Sequence, residues 1–204
     1  MAGHATQAYK PTSLCTNHPY SLDLRSELDL VAGCLAGNRS AQYKLYQKYA
    51  DAMYNICCRM TNDPEAASEV MQDAFMTVFE KIGSYGQQST LGAWIKRIVI
   101  HKCIDYMRLK KMVYIEATET LASLPDLEEE PVSVNIGLIK EAIAQLPEGY
   151  RVVFTLYALE GYDHDEIAQI LKISEQTSKS QYHRAKGKIK EWLLKDGNRQ
   201  LLYN

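Results

Sequence analysis

Long apolar runs are missing from this 204-residue chain. No stretch approaches the ~20 apolar residues that a membrane span requires. The N-terminus has no basic segment followed by an apolar core, so no export signal is visible and a cytoplasmic protein is expected. Cysteine is sparse and unpaired: Cys15, Cys34, Cys57, Cys58 and Cys103 are odd in number and never form a C-x-x-C pair. Neither a disulfide framework nor a zinc-ribbon spacing fits them. On a helix the adjacent Cys57 and Cys58 would point about 100° apart, which suits packing by reduced, buried thiols. There is no glycine-rich phosphate loop, and no cofactor or metal is expected. Sustained polar/apolar alternation is also absent, as is any internal repeat, so strands are not expected and the fold class reads as all-α.

What the chain does have is charge asymmetry. The net charge is only −2, but the average conceals the distribution. Between Lys96 and Lys111 six Lys/Arg face one acid, Asp105. Between Val113 and Ile136 there are six acids and no base. Between Lys179 and Lys195 six Lys/Arg again face one acid, Glu191. Two basic blocks separated by an acidic one fit an electrostatic footprint for phosphate.

The periodicity divides the chain. Residues 1–26 mix Gly, Thr, Ser, Pro, Asn and His without a period and read as a flexible extension. From Leu28 the pattern turns helical. Tyr43, Tyr46, Tyr49, Met53, Ile56, Cys57 and Met60 recur at steps of three and four through Arg39–Met60. Asn62-Asp63-Pro64 ends that helix and starts another, with Asp63 as N-cap, Pro64 in the first turn and Glu65 favourable to the dipole. The new helix runs to about Ile82 on a stripe of Val70, Ala74, Phe75, Val78 and Ile82. Gly83–Thr90 reads as a polar loop. Leu91–Lys111 resumes helical spacing through Trp94, Ile95, Ile98, Val99, Ile104 and Met107, with Trp94 expected in the core. Residues 27–112 thus form one small helical domain. Residues 113–135, acidic and holding Pro125 and Pro131, read as a flexible linker. Residues 136–195 form a second helical domain and 196–204 a tail. Its helices are expected at roughly Ile136–Leu146, Pro147–Leu159, Asp163–Leu171 and Glu175–Leu194.

The strongest local signal lies in that second domain. Gly161 suits a helix end, and Asp163 followed by Glu166 matches a capping box. A short helix then buries Ile167, Ile170 and Leu171, a three-residue turn follows, and Ser174 can cap a longer helix. That spacing is helix-turn-helix spacing. On the second helix Ser178, Tyr182, Ala185, Ile189 and Trp192 should face the core. Gln176, Lys179, Ser180, His183 and Arg184 share the opposite face, where a major groove would meet them, while Lys186 and Lys188 would meet phosphates.

These residues resemble the extracytoplasmic-function sigma factors, small members of the main bacterial sigma family, over about residues 29 to 195. The C-terminal half carries Leu146-Pro147, Arg151-Val152-Val153-Phe154, Glu160-Gly161, Glu166-Ile167-Ala168 and Thr177-x-Lys179-Ser180-x-x-x-Arg184-Ala185. The N-terminal half carries Ala41–Tyr49, Asp63–Phe75 with Gln72-Asp73-Ala74-Phe75, Trp94-Ile95, Arg97-Ile98, Asp105 and Arg108. The resemblance implies that the first domain docks on core RNA polymerase through Glu69, Gln72 and Asp73. It implies further that this domain opens the promoter's minus-ten element with Ser84, Tyr85, Gly86, Lys96, Arg97, His101 and Arg108. The helix-turn-helix would read the minus-thirty-five element with Gln176, Thr177, Lys179, Ser180, His183, Arg184 and Lys186. The acidic linker would thread toward the polymerase cleft. An anti-sigma factor is a partner such proteins often have, and no direct membrane insertion is implied. Opening would draw on binding energy, so no enzyme activity is expected. The chain departs from the family at Lys172, where Gly is favoured, at Ser178, where a buried Val is usual, and at Gln176, Gln181 and His101. A non-Gly residue at φ > 0 costs about 1 kcal/mol, and losing the Val costs roughly as much in burial. The C-terminal domain should therefore be modestly stable, and promoter preference does not transfer from relatives.

Two other readings compete. A stand-alone helix-turn-helix repressor or activator would need an effector or dimerisation module in the first half. A metal-dependent hydrolase or nuclease would draw on Asp163, His164, Asp165 and Glu166, but their spacing scatters them around one helical turn, where the acids suit the dipole.

Overall fold

The computed structural model describes residues 24–110 and 136–195. All regular elements among them are helical: α1 (Leu24–Leu35), α2 (Arg39–Thr61), α3 (Pro64–Lys81), α4 (Leu91–Leu109), α5 (Ile136–Ala144), α6 (Glu148–Phe154), α7 (His164–Leu171) and α8 (Glu175–Leu193). A 3-10 turn, Ile82–Ser84, follows α3, and a π-helical turn, Thr155–Leu159, follows α6. The chain divides into two compact units between Tyr106 and Met107. The linker expected at 113–135, the tail at 196–204 and Cys15 lie outside the described residues.

In the first unit α2 and α3 form the central pair. Leu45, Tyr49, Met53, Ile56 and Met60 line the buried side of α2, and Ala67, Val70, Met71, Ala74 and Val78 that of α3. Burial of one such Leu or Met contributes about 1.5–3 kcal/mol. The edge of the Tyr46 ring meets Phe75 at 4.8 Å. Tyr43, expected in this stripe, is exposed and its hydroxyl accepts from Gln47 instead. The break between α2 and α3 follows the sequence: Asn62 takes the left-handed conformation at φ 54°, and the Asp63 carboxylate accepts the Glu65 and Ala66 N–H groups. The four cysteines among the described residues are free, and the Cys103 thiol lies 3.7 Å from Cys57 inside the packing of α2 and α4. Burial and that contact push the Cys103 thiol well up.

Three boundaries differ from the sequence reading. The first helix begins at Leu24, inside the expected extension, because nothing in Leu-Arg-Ser-Glu stops a helix from growing backward. The loop after α3 starts as a 3-10 turn rather than at Gly83. Pro147 stands outside α6 at ψ 146°, and the expected helix to Leu159 changes to π geometry at Thr155.

In the second unit α5, α6 and α7 pack against α8. Leu138, Ile143, Val152, Val153, Leu156, Ile167, Leu171 and Ala185 form the core. Ile170, expected there, is half-buried. Gln181, expected on neither face, is buried beside Gly149. Arg151 is buried as well, its Nη1 donating to the Leu146 carbonyl at 2.8 Å.

The α1–α2 crossing is close: a Cβ on Gly33 would stand 2.6 Å from the Ala41 Cβ. Gly33→Ala should therefore destabilise the first unit by about 1–3 kcal/mol despite the better helix propensity of Ala. Chemical denaturation checks this, and Ala41→Gly in the same chain should restore most of the loss.

Candidate functional site: two nucleic-acid interfaces and a docking face

The α7–α8 corner is built by its caps. The Asp163 side chain accepts the Glu166 N–H while the Glu166 carboxylate accepts the Asp163 N–H, completing the capping box. Lys172 ends α7 at φ 59°, so the turn does require the left-handed conformation that Gly would adopt more cheaply. Ser174 caps α8 by accepting the Thr177 N–H at 3.0 Å. On α8, Gln176, Lys179, Lys186 and Lys188 are exposed, and Thr177, Ser180, His183 and Arg184 half-buried. Lys179 pairs with Glu175 at 2.7 Å, and the Ser180 hydroxyl donates back to the Gln176 and Thr177 carbonyls. The Lys186 ammonium stands 5.2 Å from the centre of the Tyr182 ring.

Ser178 is fully buried, but its hydroxyl is partnered by His164 Nδ1 at 2.9 Å. His164 in turn stacks on Tyr157 at 4.3 Å, and Tyr157 meets Tyr182 at 4.4 Å. A polar contact thus joins α7 and α8 at a buried position. The sequence showed the missing Val but not the distant His that compensates for it.

In the first unit a cleft of about 370 Å³ opens between α3 and α4, lined by Thr77, Lys81, Trp94, Arg97, Ile98, His101, Lys102 and Asp105. Trp94 was expected in the core; it is half-buried and lines this cleft, with the Tyr85 ring 5.7 Å away. The sequence contained the signal, since Trp94, Arg97, Ile98, His101, Lys102 and Asp105 recur at helical steps, but an apolar ring reads as core by default. Lys81 also escaped the sequence reading, and Lys102 entered it only as a member of the basic block. Of the residues it proposed, Arg97 and His101 border the cleft, whereas Lys96 does not and is half-buried. Arg108 lies in the last turn of α4, beyond the division between units. Ser84 and Gly86 are exposed beside Tyr85, whose hydroxyl donates to the Ser89 carbonyl at 2.7 Å.

A third surface lies on α3. Glu65, Glu69, Gln72, Asp73, Met76 and Glu80 are all exposed, so an acidic face surrounds Met76, which is 62% accessible. Among the described residues no cluster of three metal-binding side chains occurs, and no helix is long and apolar enough to cross a membrane.

Two family models match the chain: Sigma-70 region 2 over residues 45–112 and Sigma-70, region 4 over residues 136–189. The ECF RNA polymerase sigma factor SigM of Bacillus subtilis is 30% identical over 154 residues, covering 72% of this chain and 91% of its own. The SigW factor of the same organism is 28% identical over 170 residues, 77% of this chain and 91% of its own. The fold resembles that of the sigma factor RpoE of Bartonella quintana, solved in complex with the anti-sigma factor NepR. Its TM-score is 0.51 at 21% identity, over 76% of this chain and 97% of that one. A region 2 followed by a helix-turn-helix region 4 defines a transcription initiation factor, one that associates with RNA polymerase and binds DNA. The chain belongs to the ECF sigma factors. The stand-alone repressor or activator is not favoured, because the first half matches region 2 rather than an effector module.

The His164 contact carries a pH dependence. Burial lowers the His164 pKa, aided by Lys179 and opposed by Glu175 and Asp163. In the fold the imidazole therefore stays neutral where the unfolded chain already binds a proton, so unfolding takes up a proton and stability rises with pH. The second unit should lose stability as pH falls below about 6.5. Thermal melts followed by near-ultraviolet circular dichroism check this, and His164→Gln should flatten the dependence.

Proposed function

We propose that the two units divide the work of initiation. Residues 27–112 dock core RNA polymerase and open the minus-ten element, residues 113–135 connect, and residues 136–195 read the minus-thirty-five element. The acidic α3 face, with Glu69, Gln72 and Asp73, is the polymerase-docking surface. Charge and a central apolar side chain suit it to a basic partner surface.

The observation that carries the promoter-opening assignment is the cleft, where cationic side chains surround an aromatic one. An unpaired strand needs phosphate neutralisation and a ring on which a base can stack, worth about 1–3 kcal/mol per base. Arg97, Lys81 and Lys102 supply the former and Trp94 the latter, with His101 a hydrogen-bonding ring beside them and Ser84, Tyr85 and Gly86 at the edge to take an unstacked base. Lys96 and Arg108 extend the basic surface along α4. On α8, Gln176, Thr177, Lys179, Ser180, His183 and Arg184 meet the groove and Lys186 a phosphate. Opening proceeds on binding energy, without catalysis or a cofactor, in the cytoplasm. An anti-sigma factor is a natural inhibitor, as the Bartonella quintana relative's complex with NepR suggests.

Transcription from a random promoter library with core polymerase tests the whole reading: new start sites should depend on this protein. Two variants separate the interfaces. Asp73→Arg should weaken core binding by roughly tenfold or more without affecting free-protein folding. Arg184→Ala should weaken promoter-specific DNA binding by about 1–3 kcal/mol if it makes a bidentate base contact. An unchanged ratio of specific to nonspecific binding for Arg184→Ala would show a phosphate contact only.

A further inference from the structure

Glu27 is a buried carboxylate, 7% exposed. Its Oε1 accepts from the Lys48 ammonium at 2.8 Å and from the Tyr49 hydroxyl at 2.7 Å. The Leu91 N–H, at the start of α4, adds a favourable electrostatic interaction with the carboxylate. These partners lie on α2 and on the first residue of α4, so one side chain on α1 joins three elements. Leu91 directly follows the loop that carries Tyr85. Gly92 comes next and lies so close to Tyr49 that a Cβ there would stand 3.0 Å from the ring. Thr90 caps the same helix end, its hydroxyl accepting the Ala93 N–H. An anion at a helix N-terminus is also favoured by the dipole.

The other end of the loop rests on the same helix. Gly83 packs under Leu35, where a Cβ would meet the leucine Cδ2 at 3.3 Å. Glu27 and Leu35 are eight residues apart on α1, about 12 Å of helix. Helix α1 thus holds both ends of the loop, one by a hydrogen-bonded carboxylate and one by an apolar contact. Inside that bracket the loop is cross-braced by Ser84 to the Lys81 carbonyl and by Tyr85 to the Ser89 carbonyl, each 2.7 Å.

We propose that Glu27 is a positioning residue for promoter opening. Through Lys48 and through Tyr49, whose ring packs on Gly92, it fixes the start of α4, and thereby holds the loop at 84–90 against Trp94 in the geometry that receives an unpaired base. The proposal rests on the reading that this loop and cleft take the open strand. Glu27 itself touches no DNA.

The full-length protein tests it in two arms. In the first, amide hydrogen exchange is measured on the free protein. Glu27→Ala should speed exchange of residues 84–94 by roughly tenfold or more, the scale of a charge-assisted hydrogen bond, and leave α3 unchanged. Glu27→Gln, which can still accept from Tyr49, should recover most of the protection. Tyr49→Phe is the milder variant should Glu27→Ala not fold, and should loosen the same segment. Exchange that rises evenly over α1–α4, or not at all, overturns the proposal. In the second arm, holoenzyme is assembled with each variant on a promoter selected by the wild-type protein from a random library. Permanganate reactivity of unstacked thymines should fall roughly tenfold with Glu27→Ala while core affinity stays constant. Normal opening with a loosened loop overturns the positioning role. A wild-type holoenzyme that opens no promoter overturns the functional reading instead, and the exchange arm tells the two failures apart.

Discussion

In a chain made of helices, the orphaned N–H and carbonyl groups at each helix end are the constraint on which everything else depends. Where each helix stops decides where the next can point. Asn62 and Lys172 solve the problem at C-termini by entering the left-handed region. Asp63, Asp163 and Ser174 solve it at N-termini with a side-chain oxygen. The α7–α8 corner that presents Gln176 and Arg184 is the product of two such solutions placed a few residues apart. The direction in which it presents those side chains is therefore downstream of local backbone chemistry rather than of packing.

Much of this was legible in the sequence because caps are local. Asp63-Pro64, Asp163 with Glu166, and Ser174 announced helix starts that the structure shows, and the stripe through Val70, Ala74 and Val78 announced the buried side of α3. The division of the chain among helices rests on the same short-range signals. What stayed hidden depends on residues far apart in the chain. Ser178 looked like a loss of core until His164 arrived from another helix to bond it. Trp94 looked like core because periodicity reports that a ring is on the apolar side of a helix, not whether another element covers it. Glu27 sat at the edge of a segment read as featureless. Its partners at positions 48, 49 and 91 become neighbours only after three helices have packed.

Among the described residues, the second unit buries more polar side chains than the first. Arg151, Thr155, Ser178 and Gln181 are all inside it. Burial pushes the Glu148 carboxyl up and the Arg151 guanidinium down, each moderated by the charge of the other. An unsatisfied buried polar group costs about 1–3 kcal/mol, so such a core gains less from burial than an apolar one of equal size. The first unit, with Leu45, Met60, Met71, Ile95, Val99 and Ile104 fully enclosed, has the more ordinary interior.

The π-helical turn after α6 constrains the length of the chain between α6 and α7. The Glu160 N–H reaches back five residues to the Thr155 carbonyl, so this hydrogen-bonded ring encloses one more residue than an α-helical one. One residue of helix is about 100° of rotation. Tyr157 lies within the widened turn and stacks on the His164 ring, while Val152 and Val153, just before it, stay in the core. Drift in this segment is free to change side chains but not chain length: a single deletion would unscrew the aromatic stack from the helix that feeds it. Among diverging relatives, the spacing between α6 and α7 should be kept more strictly than the identities of the residues that fill it.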